Sequence, residues 1–151
     1  MVSVFVDTNV ILYTRDLSHP AKADMASAWL RGLAPSRAMI LSRQVLNETY
    51  YVLTRGRHFQ ATAGEARRLV GGLERFVRAP SHGRTLAEAW AIQDRYGLQF
   101  WDALLMASAN AAGCTYFLSE DLNDGQTYGS VQVINPFRHA PQDVLGRAPS
   151  L

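Results

Sequence analysis

Four apolar runs, Val2–Val6, Met39–Leu41, Thr115–Leu118 and Val131–Ile134, have the length and β-branched or aromatic character of buried strands, and helical stretches separate most of them. Strands spaced in this way cannot pair through tight hairpins. They pair in parallel through crossover helices, so the chain reads as α/β, a sandwich with a central parallel sheet flanked by helices. The 151 residues suffice for one such domain, and a composition of 48% hydrophobic and 19% charged residues supplies its core.

The helices are delimited by local signals. Thr8–Thr14 follows the first strand directly, and Pro20–Leu33 has Ser18 as a cap candidate and Pro20 in its first turn. In Arg43–Arg55, Val45, Leu46, Thr49, Val52 and Leu53 recur at helical spacing. Thr62 with Glu65, and Thr85 with Glu88, fit capping boxes for helices Ala63–Phe76 and Leu86–Tyr96, the second ended by Gly97. A last helix, Asp102–Ala112, is closed by Gly113. Residues 1–137 then form the domain, and 138–151, with two prolines and little periodicity, a partly ordered C-terminal extension.

Several classes of protein are excluded or disfavoured. Cys114 is the only cysteine, which rules out an intrachain disulfide or a zinc site of paired cysteines and suits a reducing cytoplasm. No apolar stretch approaches the roughly 20 residues of a membrane span, and no basic segment precedes the first strand as in a targeting peptide. The net charge of +2 is too small to argue for nucleic acid, but it is segregated. Residues 55–84 hold seven arginines against Glu65 and Glu74, whereas the remainder is net acidic by three charges.

Sites in open parallel sheets form beyond the carboxyl ends of the strands. Asp7 directly follows the first strand, Asp121 lies just beyond Leu118, Asp102 opens a helix, and Glu48 is one turn inside another. Each alone has an ordinary reading: Asp7 and Asp102 as helix caps, Glu48 as a solvated position, Asp121 to Gly125 as turn sequence. Four acids directed at one edge repel one another unless a cation is present, and oxygen ligands suit Mg²⁺ or Mn²⁺. Such a metal activates water and neutralises phosphate charge, which points to phosphodiester hydrolysis. The arginine-rich segment, Arg67 and Arg68 in particular, then offers a surface for the flanking phosphates.

These residues resemble a known family. Val4-Phe5-Val6-Asp7-Thr8-Asn9-Val10-Ile11-Leu12, Leu46-Asn47-Glu48, Phe100-Trp101-Asp102-Ala103-Leu104-Leu105 and Phe117-Leu118-Ser119-Glu120-Asp121 look like the ordered motifs of PIN domains, most closely the VapC-type toxins. The resemblance implies a PIN-like three-layer sandwich and an endoribonuclease using Mg²⁺ or Mn²⁺. It implies that Asp7, Glu48, Asp102 and Asp121 are the four acids, with Asn9 and Ser119 supporting them. Asp124, an additional acid of the same loop, either joins the metal shell or stabilises the turn, and the turn is the favoured reading. A homodimer and a small VapB-like antitoxin are further implications, as is an RNA substrate.

The alternatives are a non-catalytic PIN-like module binding RNA or protein, a PIN-like nuclease outside a toxin–antitoxin pair, and a flap-type DNA nuclease, for which the chain offers little room. A receiver domain needs a lysine after its last strand, and Lys22 is the only lysine; a haloacid-dehalogenase-like phosphatase needs an aspartate where Asn9 stands. His19, His58, His82 and His139 show no metal-ligand spacing and read as surface or loop residues. Trp29, Trp90 and Trp101 read as core or interface, and Cys114 as a small buried side chain.

Overall fold

The computed structural model describes residues 2–55, 58–80 and 83–146. His82 therefore lies outside the described residues. Among those described, five strands, β1 (Val4–Val6), β2 (Met39–Ile40), β3 (Tyr116–Leu118), β4 (Thr127–Tyr128) and β5 (Val131–Ile134), form one sheet in the order β2-β1-β3-β5-β4. β1 pairs in parallel with β2 and β3, and β3 with β5; β4 is antiparallel to β5 and joined to it by a tight turn. The expected parallel α/β sheet is present. β4 is an addition to it, because two residues, one of them exposed, carry no readable alternation.

Seven helices among the described residues surround the sheet: α1 (Thr8–Tyr13), α2 (Pro20–Leu33), α3 (Arg43–Arg55), α4 (Ala63–Leu73), α5 (Thr85–Tyr96), α6 (Phe100–Ala111) and α7 (Pro141–Leu145). Phe5 and Phe117 stack across the sheet at 5.1 Å, within a core that also contains Ile11, Trp29, Leu33, Leu46 and Met106. α5 and α6 pack closely through Ala89, Ala103 and Ala107, small residues that let two backbones approach. The outer edge of β2 is covered rather than free: Leu41 donates to Phe76 O, and its carbonyl accepts from Arg78 and Ala79.

Several boundaries differ from the sequence expectations. α4 stops at Leu73 and continues as a single 3₁₀ turn, Glu74–Phe76. The Thr62–Glu65 capping box is formed, but α5 begins at Thr85 with Arg84 as its cap, so Thr85 lies inside the helix. Ser18 does not cap α2; His19 takes that position, and the Ser18 hydroxyl is drawn to Asp16. α6 starts at Phe100 with Gln99 as N-cap, which moves Asp102 from the cap into the first turn. Trp29 is buried, whereas Trp90 and Trp101 are 52% and 63% exposed and outside the core.

Past Phe137 the chain folds back over α2. Trp29 Nε1 donates to the carbonyls of Pro136 and His139, and Pro141 and Leu145 lie against Gly32. The β4–β5 turn depends on Gly129, whose φ of +64° is a conformation that favours glycine. A Cβ there would collide with Asn110 Oδ1, and the Asn110 side chain bonds Tyr128 O and Ser130 N on either side of it. Gly129→Ala is expected to cost about 2 kcal/mol through strain and loss of that clamp. Thermal unfolding should then fall by roughly 4–8 °C; an unchanged Tm would show that the turn relaxes freely.

Candidate active site at the sheet edge

The site is assembled from the residues just after each strand. β1 runs straight into α1, and Asp7 is the residue between them, with extended backbone and its own Oδ1 accepting the Thr8 N–H at 2.7 Å. The Asp7 N–H donates to Leu118 O, and Ser119 N–H to Ile134 O, so the ends of β1, β3 and β5 are in register at one edge. Ser119, fully buried, donates its hydroxyl to Asp7 Oδ2 at 2.8 Å and accepts the Asp121 N–H at 3.1 Å. α3 leaves the β2 end and carries Glu48 on its second turn. α6 runs back toward β3 through the Gly113 turn, so its amino-terminal turn, with Asp102, lies at the same edge.

Hydrogen bonds hold three of the four acids. Glu48 accepts the Thr8 hydroxyl on Oε2 and Gln44 Nε2 on Oε1, both at 2.8 Å. Asn9 Nδ2 bridges Asp121 Oδ2 at 2.7 Å and Asp7 Oδ2 at 3.4 Å. This bridge leaves Asn9 Oδ1 buried without a partner, a cost the amide bears to stand between two carboxylates. The Asp102 carboxylate makes no hydrogen bond to a described residue. It is free to turn.

The electrostatics are unbalanced. Burial, foremost, with the nearby Asp102 and Asp121 charges, pushes the Asp7 carboxyl up to about 7, despite the opposing bonds from Ser119 and Thr8. Asp102 is raised by burial and then by Asp121 and Glu48. Basic side chains among the described residues go to other acids: Lys22 pairs with Glu120 and Arg43 with Glu74, while His139 hydrogen-bonds Asp124 and His19 and His58 hydrogen-bond Asp16. An all-oxygen donor set around a buried, raised carboxylate, with no basic partner among the described residues, is chemistry that fits a hard divalent cation.

A family model for the PIN domain matches residues 4–124. The chain belongs to the PIN domain family. No curated protein matches the sequence. Among solved structures, the PIN fold here is similar to that of Mycobacterium tuberculosis VapC20, described as a sarcin-ricin loop cleaving toxin. The two share 19% identity with a TM-score of 0.55, over 86% of this chain and 99% of that one.

Within this PIN fold, Asp7, Glu48, Asp102, Asp121, Asn9 and Ser119 come to one sheet edge. Asp124 does not join them in any direct bond. Burial opposes its ionisation, but the Asn135 N–H at 2.8 Å and His139 at 2.8 Å more than compensate, holding it below the usual range and pinning the last strand end to the tail. Arg67 and Arg68 are exposed on α4 and line none of the cavity beside Glu48. Arg68 instead opens onto a separate hollow of about 670 Å³ with Arg15, Arg31 and Arg75.

Thr8 and Gln44 are carboxylate donors that sequence reading missed: Gln44 stands four residues before Glu48 on the same helix, a spacing that could have found it, whereas Thr8 meets Glu48 only through tertiary packing. A cavity of about 690 Å³ beside Glu48, walled by Trp101, Leu86, Gln44 and Asn47, likewise has no local signature in the chain. Cys114, by contrast, is buried as expected, with its thiol pushed up to about 11 by burial, which removes it as a nucleophile.

A carboxyl raised in the folded state binds its proton more tightly there than in the unfolded chain. Between the unfolded value near 3.8 and about 7, Asp7 therefore costs stability progressively as pH rises, and the full cost is present above pH 7. In EDTA at pH 8, Asp7→Asn is expected to raise stability by about 2 kcal/mol and to flatten the pH dependence over that window. Denaturant unfolding at pH 5 and pH 8 measures both. A gain of equal size at the two pH values would locate the effect elsewhere.

Proposed function

We propose that this PIN-domain protein is a metal-dependent endoribonuclease that acts as the toxin of a VapBC-type toxin–antitoxin pair. The observation that carries the reading is the unneutralised set of Asp7, Glu48, Asp102 and Asp121 around a single sheet edge, with a cavity of about 690 Å³ on the Glu48 side. Family membership and the fold shared with a sarcin-ricin loop cleaving toxin support the substrate class.

Asp7, Glu48, Asp102 and Asp121 would hold Mg²⁺ or Mn²⁺. Bound there, such a cation would supply charge neutralisation at the scissile phosphate and a lower pKa for the attacking water, so that it is more readily deprotonated to the nucleophile. The chain's own groups orient the carboxylates: Ser119 and Asn9 fix Asp7, Thr8 and Gln44 fix both oxygens of Glu48, and Asn9 steadies Asp121. Buried Asp7 and Ser119 keep bulk water from the floor of the site, while Asp102 and exposed Asp121 face the substrate side. The exposed indole of Trp101, one residue from Asp102, offers a face on which an unpaired base stacks. Arg67 and Arg68 take phosphates farther along the strand.

The partners follow from the same charge. A basic segment of a VapB-like antitoxin complements the acidic edge, and an arginine on it would occupy the space of the cation. We assign the protein to the cytoplasm as a homodimer; among the described residues no helix is long and apolar enough to cross a membrane.

Purified chain, free of antitoxin, is expected to cleave a mixed RNA substrate in Mn²⁺ or Mg²⁺ and to stop in EDTA. Asp7→Asn and Asp102→Asn should each lower the rate by at least about 100-fold, and Ser119→Ala by roughly 10- to 100-fold. Folded protein that binds RNA yet never cuts it would make this a binding module. Replacing Arg67 and Arg68 together should weaken RNA affinity and reduce its slope against log salt by up to about two. An unchanged slope would remove both arginines from the RNA path.

A further inference from the structure

A second set of donors lies away from the acidic edge. Asp16, in the turn after α1, is buried, with 6% of its surface exposed. Its Oδ2 lies 2.9 Å from His19 Nδ1, and its Oδ1 lies 2.7 Å from His58 Nε2, which arrives from beyond α3. The Ser18 hydroxyl stands between them, 2.6 Å from Asp16 Oδ1, 3.1 Å from His19 Nδ1 and 3.0 Å from His58 Nε2. Three ligand atoms from two distant segments thus converge on one point. Among the described residues this is the one group of three or more His, Cys, Asp or Glu whose ligand atoms all lie within 4.8 Å of one another.

We propose that Asp16, His19 and His58 form a second metal site, selective for a late first-row divalent cation such as Zn²⁺ and separate from the acidic centre. One carboxylate and two imidazoles are the donor set such ions prefer, whereas Mg²⁺ takes oxygen alone. Hydrogen bonding accounts poorly for the arrangement by itself. Asp16 Oδ1 is approached by three donors, Ser18 N–H, Ser18 O–H and His58, for two lone-pair sites. A cation at the point now held by the Ser18 hydroxyl relieves that excess, because the imidazoles then turn lone pairs inward instead of N–H groups and the hydroxyl swings out.

The surrounding geometry suits a metal. The Asp16 carboxylate is fixed in place by the Ser18 N–H at 3.0 Å as well as its hydroxyl, so the ligand oxygen is oriented before an ion arrives. Both imidazoles are about half exposed, which leaves room for water as a fourth ligand. The site ties the α1–α2 turn to the chain beyond α3, across 42 residues. Occupancy therefore acts as a clip on the folded state, since the unfolded chain does not hold the three donors together.

The test is titration of the full-length chain with Co²⁺ in millimolar Mg²⁺, read by visible absorption, with Zn²⁺ competition and thermal unfolding in parallel. One equivalent of Co²⁺ is expected to bind, Zn²⁺ to displace it and raise Tm, and Asp7→Asn to leave both responses intact. His19→Ala and His58→Ala should each weaken binding at least about tenfold. They should retain the wild-type Tm in EDTA to within a few degrees and full RNA cleavage in Mg²⁺. Ser18→Ala should still bind. Should His19→Ala disturb the start of α2, His58→Ala decides alone. Absence of the Co²⁺ spectrum in wild type, a spectrum unaffected by His58→Ala, or one abolished by Asp7→Asn would each overturn the proposal.

Discussion

The carboxylate of Asp7 is the group on which the rest of the site depends, because it is both a structural joint and the most unfavourably placed charge at the edge. Through Thr8 N–H it starts α1, and through Ser119 it ties the end of β1 to the loop after β3. The same burial that makes these bonds strong also raises its affinity for a proton to about pH 7. A polar residue that only capped a helix would sit at the surface with its carboxyl stabilised. Asp7 is instead held by three donors in a place where its charge remains costly, and the cost is compensated only when positive charge arrives.

Sheet topology explains why that arrangement is available. With β1 and β3 adjacent and parallel, their carboxyl ends bring Asp7 and the Ser119–Asp121 loop together across a sequence gap of more than a hundred residues. β2 on one side of β1 launches α3 with Glu48, and α6 must run antiparallel to β3 to feed it, which places Asp102 at the same edge. Only Asp121 comes on a loop, the short one that directly follows β3. Each is placed by the direction of its neighbouring strand, so the site is a property of the crossover pattern as much as of the residues.

Much of this was legible in the sequence because it rests on short-range signals. Strands ending abruptly on acids, the Thr62–Glu65 box and the Gly97 stop are local patterns, and they locate β1, α4 and the α5–α6 hairpin well. The features that were not legible are set by tertiary contact. Two-residue β4 exists only because Gly129 and Asn110 fold it onto β5. Ser18 satisfies every sequence rule for a helix cap, yet the buried Asp16 competes for its hydroxyl and wins, leaving His19 at the helix start. His19 and His58, with no ligand spacing along the chain, meet because α2 and α3 both pack on α1 and return their ends to it. Spacing in sequence detects ligands on one helix or turn; it is blind to donors that two crossovers bring together.

The distribution of charge bears on the size of the substrate. A polyanion is repelled by an acidic edge alone, so binding energy must come from elsewhere on the surface. The arginines do not neutralise the edge; Arg15, Arg31, Arg68 and Arg75 gather around a separate hollow between α2 and α4. Keeping the two apart serves both: arginines inside the edge would pair with the carboxylates and displace the cation, and carboxylates within the hollow would weaken phosphate binding. Glu65, on that hollow, is held by its capping box and so is directed toward the helix start rather than outward. On the function proposed above, an extended polyphosphate chain is the kind of substrate that would gain from both regions, whereas a small phosphate ester at the acidic edge gains nothing from the hollow. The separation itself thus favours a polymeric substrate over a small one.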